Sequence, residues 1–420
     1  MKENVAIIIL AAGKSTRMKS ETPKVCHPIC SRPMLGYVLD LVKSLKAQKV
    51  VAVLGYKHEE VRSLIPAGIK TVLQKKLLGT ADAVKEAYGV LKGFKGTCLI
   101  LYGDNPLLTK ETIKKLLEHH RQNNLDATLL TAVLDKPEGY GRILRDKYAS
   151  IRGIIEDKDA DDCQKDIKEI NTGIACFKSR VLFDALRSVK ADNRKKEYYL
   201  TDAIGIIYKK GGLIDNVRLS DINEALGINS RVDLSKANSI MQARINEGWM
   251  KNGVSIVDQG STFIGFDVKI GRDTVIYPFT VLEKGVRIGK RCSIGPFAHL
   301  RESAVVEDGC LVGNFLEIVR SKVGSKTLIK HFGYIGDTNI GKGVNIGAGT
   351  VTANFDGAKK NATVIKQGAF VGSDTVMVAP VVIGRNAVTG AGSVVTKGSV
   401  VPDNTIVAGV PARQLKKKKG

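Results

Sequence analysis

Residues 264–318 read IGFDVKIGRDTVIYPFTVLEKGVRIGKRCSIGPFAHLRESAVVEDGCLVGNFLEI, with an aliphatic residue at every sixth place: Ile264, Ile270, Ile276, Leu282, Ile288, Ile294, Leu300, Val306, Val312 and Ile318. A helix repeats every ~3.6 residues, and strands alternate in twos between turns every ~8–12 residues, so neither gives six. A β-helix of hexapeptides does: each coil has three short flat faces, and one aliphatic residue per hexapeptide points inward and stacks along the axis. An irregular section follows. The spacing then returns at Val371, Met377 and Ile383, with Val376, Val382, Val388, Val394 and Val400 one place earlier.

The first half has another rhythm. Apolar runs at Val5–Leu10, Val50–Leu54 and Cys98–Tyr102 alternate with helical patterns at Met34–Leu45 and Thr80–Leu91, as in a parallel sheet with crossover helices. Such α/β sheets bind ligands beyond the carboxyl ends of their strands. Gly13, in the run VAIIILAAGKSTRMKSETPK (5–24), and Asp104, in CLILYGDNPL, both fall on that edge. Small residues, a glycine and basic side chains directly after a strand suit a phosphate. Between the halves, residues 232–252 lack proline and space Leu234, Ala237, Ile240, Met241, Ala243 and Ile245 as a helix does. The expected domains are therefore 1–229, a helical linker 230–252, and a β-helix 253–420.

Composition narrows the function. A chain of 420 residues exceeds what one core usually serves, roughly 250–300 residues. The net charge of +23 is divided evenly: residues 1–250 hold 42 basic and 30 acidic side chains, and residues 251–420 hold 23 and 12. Charge spread this way, with 5% aromatic residues, forms neither a duplex-binding stripe nor a base-stacking platform, so small anionic substrates are expected and nucleic acid is not. Seven cysteines without a CxxC pair are expected to be free thiols. The Val5–Ala12 run is too short to insert in a membrane, and the expected location is the cytoplasm.

The strings AAGKSTRMKSETPK, LLGTADAV, LYGDNPL, GYGRI, EINTGI, EYYLTD, GINSR, HFGYIGD and NIGAGTVTANFDG, in this order, resemble those of bifunctional N-acetylglucosamine-1-phosphate uridylyltransferases that are also glucosamine-1-phosphate N-acetyltransferases. The resemblance covers nearly the whole chain. It implies a Rossmann-like α/β nucleotidyltransferase domain, a helical arm and a left-handed parallel β-helix. It further implies that Leu10, Ala11, Ala12 and Gly13 wrap UTP, that Arg17 and Lys24 neutralise its phosphates, and that Gln74, Gly79 and Thr80 recognise uridine. Gly141, Glu156, Asn171 and Asn229 would hold N-acetylglucosamine, and Asp104 and Asn229 would ligate Mg²⁺, for which hard oxygen donors are suited. Standing alone, Glu156 beside Lys158 would read as a surface carboxylate. On the β-helix the resemblance makes His331 the general base toward acetyl-CoA, a step suited to imidazole. Arg301 and Tyr334 would contact the sugar phosphate, Asn345 and Asn354 would position substrate with Phe355 beside them, and Ser373 and Ala391 would line the acetyl-CoA groove. A homotrimer through the β-helix is implied too.

The chain departs from that pattern in several places. Ser15 replaces a commoner glycine. Val319 stands where a phosphate-contacting lysine is expected, leaving Arg320 or Lys322 to replace its charge. Phe355 occupies a position that is commonly tyrosine. The β-helix is about two coils shorter at its start, and the end VVPDNTIVAGVPARQLKKKKG resembles generic hexapeptide acetyltransferases. Lys416–Lys419 reads either as a solvated end or as an attractor for CoA. Two other readings stay open: acetylation of a different acceptor, or a β-helix that serves only as an oligomerisation scaffold.

Overall fold

The computed structural model describes residues 4–14 and 16–415, so Ser15 and the Lys416–Lys419 tail, with the readings attached to them, lie outside the described residues. The chain forms two compact units, Met1–Asn238 and Ser239–Gly420, which divide within the helix Arg231–Lys251.

The first unit is built on nine strands: β1 (Val5–Ala11), β2 (Lys49–Leu54), β3 (Lys70–Leu73), β4 (Thr97–Tyr102), β5 (Ala127–Val133), β6 (Gly141–Arg145), β7 (Ile151–Ile155), β8 (Glu169–Lys178) and β9 (Ile214–Arg218). Their spatial order is β9-β5-β8-β4-β1-β2-β3, with β6 on β8 and β7 on β6. β1 pairs in parallel with β2 and β4 (Ile8 opposite Val51 and Ile100), and every residue of β1 is buried, which explains its unbroken apolar run. The sheet is mixed, contrary to the parallel sheet expected from the sequence: β8 runs antiparallel to both neighbours, with Ala175 opposite Ile100 and Leu129. The β6–β7 hairpin brings the chain back beside β5 in the reverse direction, and apolar periodicity carries no sign of strand direction. The Thr80–Leu91 pattern forms two helices, Thr80–Glu86 and Tyr88–Leu91.

A reciprocal cap starts the connecting helix. The Asp233 backbone N–H donates to Ser230 Oγ at 3.2 Å, and Asp233 Oδ2 accepts from the Ser230 backbone at 2.9 Å. In the second unit, fully buried Asn246 donates to the carbonyls of Gln259 (3.2 Å) and Thr262 (3.0 Å), while Gln242 donates to that of Ile264 at 3.3 Å. These amides satisfy backbone carbonyls that the first coil has no earlier coil to bond.

The β-helix has three parallel sheets of ten, eight and eight strands, the first closed by one antiparallel strand, Arg413–Gln414. Its interior is three rows. One holds Ile276, Ile294, Val312, Ile329, Ile346 and Val371; the second Leu282, Leu300, Ile318, Ile335, Thr352, Met377 and Val395; the third Ile288, Val306, Val323, Ile340, Ile365, Ile383 and Val401. Beyond Val371 the inward residues are Met377, Ile383, Thr389, Val395 and Val401, whereas Val376, Val382, Val388, Val394 and Val400 are partly or fully exposed.

The irregular section has a simple geometry. Spacing falls to five at Ile318–Val323 and Ile335–Ile340 and rises to thirteen at Thr352–Ile365. All three breaks lie on one corner of the prism, between the second and third rows, on successive coils. There the strands of the second sheet lengthen to Leu316–Val319, Gly333–Gly336 and Thr350–Ala353. Thr352 takes an inward place and accepts from the Gly336 N–H at 2.7 Å, holding the altered backbone.

Candidate active sites

In the first unit, Leu10, Ala11 and Ala12 are buried at the end of β1 and deliver the chain to exposed Gly13. A Cβ added at Gly13 would meet nothing within 4 Å, so packing does not require glycine there. Arg17 is exposed on the turn Thr16–Met18 and makes no ion pair among the described residues. Lys24 lies on the turn Lys24–Cys26; its Nζ donates to Asp104, just past β4, and to Asn229 Oδ1 at 3.2 Å. Asn229 is fixed in turn, its amide donating to the Gly227 carbonyl at 3.2 Å and its backbone N–H to Asp233 at 3.1 Å. The two side chains expected to ligate a metal thus already converge on one cation, the Lys24 ammonium. Two hard oxygens meeting at a cationic centre fit a hard divalent metal ion.

Gln74 is buried and donates to the Gly79 carbonyl (3.0 Å) and to Asp82 (2.8 Å). Gly79 has φ +118° and ψ 178°, and a Cβ there would overlap the Tyr198 carbonyl, so this glycine is dictated by the fold. Thr80 Oγ1 accepts from the Leu200 N–H at 2.9 Å. The segment after Glu197 therefore positions the Gln74–Thr80 loop; Tyr198 itself bonds Leu78 and Ala81 through its backbone. Its string was recognisable in the sequence, but the structural role was not, because backbone bonds leave no mark on residue type.

Gly141 and Asn171 are register partners on β6 and β8, and Glu156 follows β7 with its carboxyl carbon 3.7 Å from where a Gly141 Cβ would lie. Glu156 is not a surface carboxylate: it is half-buried, accepts from Thr201 Oγ1 at 3.0 Å, and burial pushes its pKa up.

In the second unit a cleft of about 410 Å³ brings His331, Asn345, Ser373 and Ala391 together, with Lys330, Phe370 and Gly390. Arg301, Tyr334 and Asn354 are not part of its lining and form a second group. Arg301 Nη1 pairs with Glu317 Oε1 at 2.7 Å. Tyr334 lies opposite Glu317 in the next coil, and the Asn354 amide donates to the Tyr334 hydroxyl at 3.5 Å. Phe355 is 61% exposed on the loop after Asn354, in a backbone bridge with Lys360. Asp337, which accepts from Asn354 and Arg320, went unnoticed in the sequence except as the last letter of a matching string. Lys360 was also missed; its charge helps hold the Asp337 carboxyl below the usual carboxylate range, behind Arg320, the largest favourable cause, and Asn354. All seven cysteines are free, and no helix of the described residues is long and apolar enough to cross a membrane.

An α/β nucleotide-type site on one unit and a cleft on a hexapeptide β-helix define a two-domain transferase. The MobA-like NTP transferase domain model matches residues 7–200, and the bacterial transferase hexapeptide model matches 267–302 and 362–397. Among curated relatives, the Bifunctional protein GlmU of Thermosipho africanus is 44% identical, covering 97% of this chain and 95% of its own length. Those of Brevibacillus brevis and Geobacillus thermodenitrificans are each 41% identical, covering 95% and 98% of this chain and 93% and 96% of their own. The chain belongs to the bifunctional GlmU family.

Proposed function

We propose that this chain makes UDP-N-acetylglucosamine in two steps. On the β-helix, the amine of glucosamine 1-phosphate attacks the thioester carbonyl of acetyl-CoA; the C–N bond forms, the C–S bond breaks, CoA leaves as the thiol, and His331 removes the amine proton. Asn345 positions the acceptor, and Ser373 and Ala391 border the acetyl-CoA groove. On the α/β unit, a phosphate oxygen of N-acetylglucosamine 1-phosphate attacks the α-phosphorus of UTP and pyrophosphate departs. Backbone N–H groups around Gly13 cradle the triphosphate, and Arg17 and Lys24 balance the negative charge that develops. Gln74, Gly79 and Thr80 receive uridine, and Gly141, Glu156 and Asn171 the sugar. Asp104 and Asn229 would hold Mg²⁺, which supplies charge neutralisation at the phosphates. The chain would act in the cytoplasm as a homotrimer joined through its β-helices.

The observation that carries this reading is the convergence of His331, Asn345, Ser373 and Ala391 on one cleft, which a passive scaffold does not require. Purified protein given acetyl-CoA, a panel of amino-sugar 1-phosphates and UTP tests it, with products identified by mass. UDP-N-acetylglucosamine from glucosamine 1-phosphate is the expected product. Acetylation of a different sugar alone would replace the acceptor, and UDP-sugar formation with no acetyl transfer would leave the β-helix a scaffold.

A further inference from the structure

The residues on the irregular corner explain how the second site handles the acceptor's charge. Arg320, Asp337 and Asn354 occupy the same place on three successive coils, just after the lengthened strands, and Arg320 and Asp337 both adopt left-handed backbone (φ 46° and 49°). Arg320 Nε and Nη2 donate to the two oxygens of Asp337, each at 2.7 Å, in a two-pronged fork. Asp337 also accepts from the Asn354 amide, which reaches the Tyr334 hydroxyl. Arg320, Asp337, Asn354 and Tyr334 are therefore one connected network.

Asp337 creates an electrostatic difficulty. It fixes the Asn354 amide with a carboxylate, beside the place where an anionic acceptor is to bind. An uncompensated carboxylate there would repel a sugar phosphate. Val319 is buried and uncharged, and Lys322 is occupied elsewhere, its Nζ 2.8 Å from Glu307, one coil earlier at the end of the strand it pairs with. Arg301 is matched by Glu317 and, at 4.0 Å, by Glu283. Arg320 compensates Asp337 by direct contact, and Lys360 adds charge behind it. The fork uses Nε and Nη2 and leaves Nη1 out of the pair.

We propose that Arg320 is a specificity-determining residue for the acetyl acceptor: it cancels the charge of Asp337 while leaving Asn354 oriented, and presents Nη1 to the acceptor's phosphate. This deepens, and rests on, the reading of the β-helix as an amino-sugar-phosphate acetyltransferase. Where the expected lysine is replaced by Val319, the corner one residue later thus supplies a guanidinium, part of whose charge is spent on Asp337.

The test is steady-state acetyl transfer by the full-length protein, with glucosamine 1-phosphate and unphosphorylated glucosamine as alternative acceptors. Arg320→Gln is expected to raise KM for glucosamine 1-phosphate about 10- to 100-fold, the scale of losing a charged hydrogen-bond partner, with kcat and the KM for acetyl-CoA within about 3-fold. Preference for the phosphorylated acceptor over glucosamine should fall by the same factor. Arg320→Lys should recover most of it, and Asp337→Asn added to Arg320→Gln should recover part by removing the uncompensated carboxylate. Equal losses with both acceptors, or a fall in kcat alone, would reduce Arg320 to a structural residue and overturn the proposal, as would unchanged preference. Wild-type protein inactive with every amino sugar would instead overturn the reading on which it rests.

Discussion

Gly13 and Gly79 both belong to the expected UTP site, yet the structure separates their roles. At Gly79 an alanine Cβ would overlap the Tyr198 carbonyl oxygen and lie 2.8 Å from its nitrogen, in a backbone region (φ +118°, ψ 178°) that is nearly glycine-only. The conformation costs about 1–3 kcal/mol and overpacking about 1–3 more, so Gly79→Ala should destabilise the first unit by about 2–6 kcal/mol. That is a large share of a typical stability of about 5–15 kcal/mol. At Gly13 the same Cβ meets nothing within 4 Å. Gly13→Ala should therefore leave stability within about 0.5 kcal/mol. It places a methyl where the triphosphate is to approach the backbone, so uridylyl transfer should fall about 10²-fold, the scale of misplacing a reacting group by an ångström. Urea melts followed by circular dichroism at helical wavelengths report on the first unit, since eight of the nine α-helices among the described residues lie within it and the ninth spans the division. If Gly13→Ala melts as early as Gly79→Ala, Gly13 is a folding residue; if it keeps full uridylyl transfer, the phosphate-cradle assignment is wrong.

Further outcomes follow from the same geometry. Asp104→Asn should lower uridylyl transfer by at least about 10²-fold while sparing acetyl transfer, measured on separately supplied substrates; near-normal UDP-sugar synthesis would remove Asp104 from the site. His331→Ala should lower acetyl transfer roughly 10²- to 10⁴-fold and leave uridylyl transfer from supplied N-acetylglucosamine 1-phosphate intact; equal activity would assign the proton to another group. Burial, with Asp192, Glu156 and Asp159 nearby, pushes the Asp202 carboxyl up to about 6. A raised folded-state value favours the native protein only while that proton is kept and is lost as pH rises through about 6. Asp202→Asn should then stabilise the first unit by an amount that grows between about pH 4 and 6 and levels off, at roughly 1–3 kcal/mol, above it. A gain independent of pH across that window would show that the Asp202 carboxylate is not strained by burial.

The β-helix could be read from the sequence because its repeat is imposed by geometry: each inward place admits only a residue that stacks on its neighbours. Ile264 through Ile318 state this directly. The α/β unit was legible as alternating strands and helices, but the reversed direction of β8 was not, since parallel and antiparallel strands bury the same residues. Glycines show the limit at the site. Gly13 and Gly79 are the same letter, and only the surrounding atoms distinguish an open place from a crowded one. The charge network at Arg320 and Asp337 was hidden for another reason: its members are 17 residues apart, and the coil that unites them is the one that breaks the repeat.

Placing every irregularity on one corner separates the length of the prism from the chemistry it carries. A coil spans ~4.8 Å along the axis, the ordinary spacing of paired strands, and the coils before Leu316 repeat every 18 residues with like neighbours on either side. Removing or adding a whole coil there slides the cleft along the axis without turning it, and leaves the distances among His331, Asn345, Arg320 and Asp337 as they are. A single-residue change in the same coils would turn everything beyond it relative to the three rows. The regular part is thus a spacer that can vary only in whole steps, whereas the corner between the second and third rows can take a one-residue deletion or a seven-residue insertion while both flanking rows remain aligned.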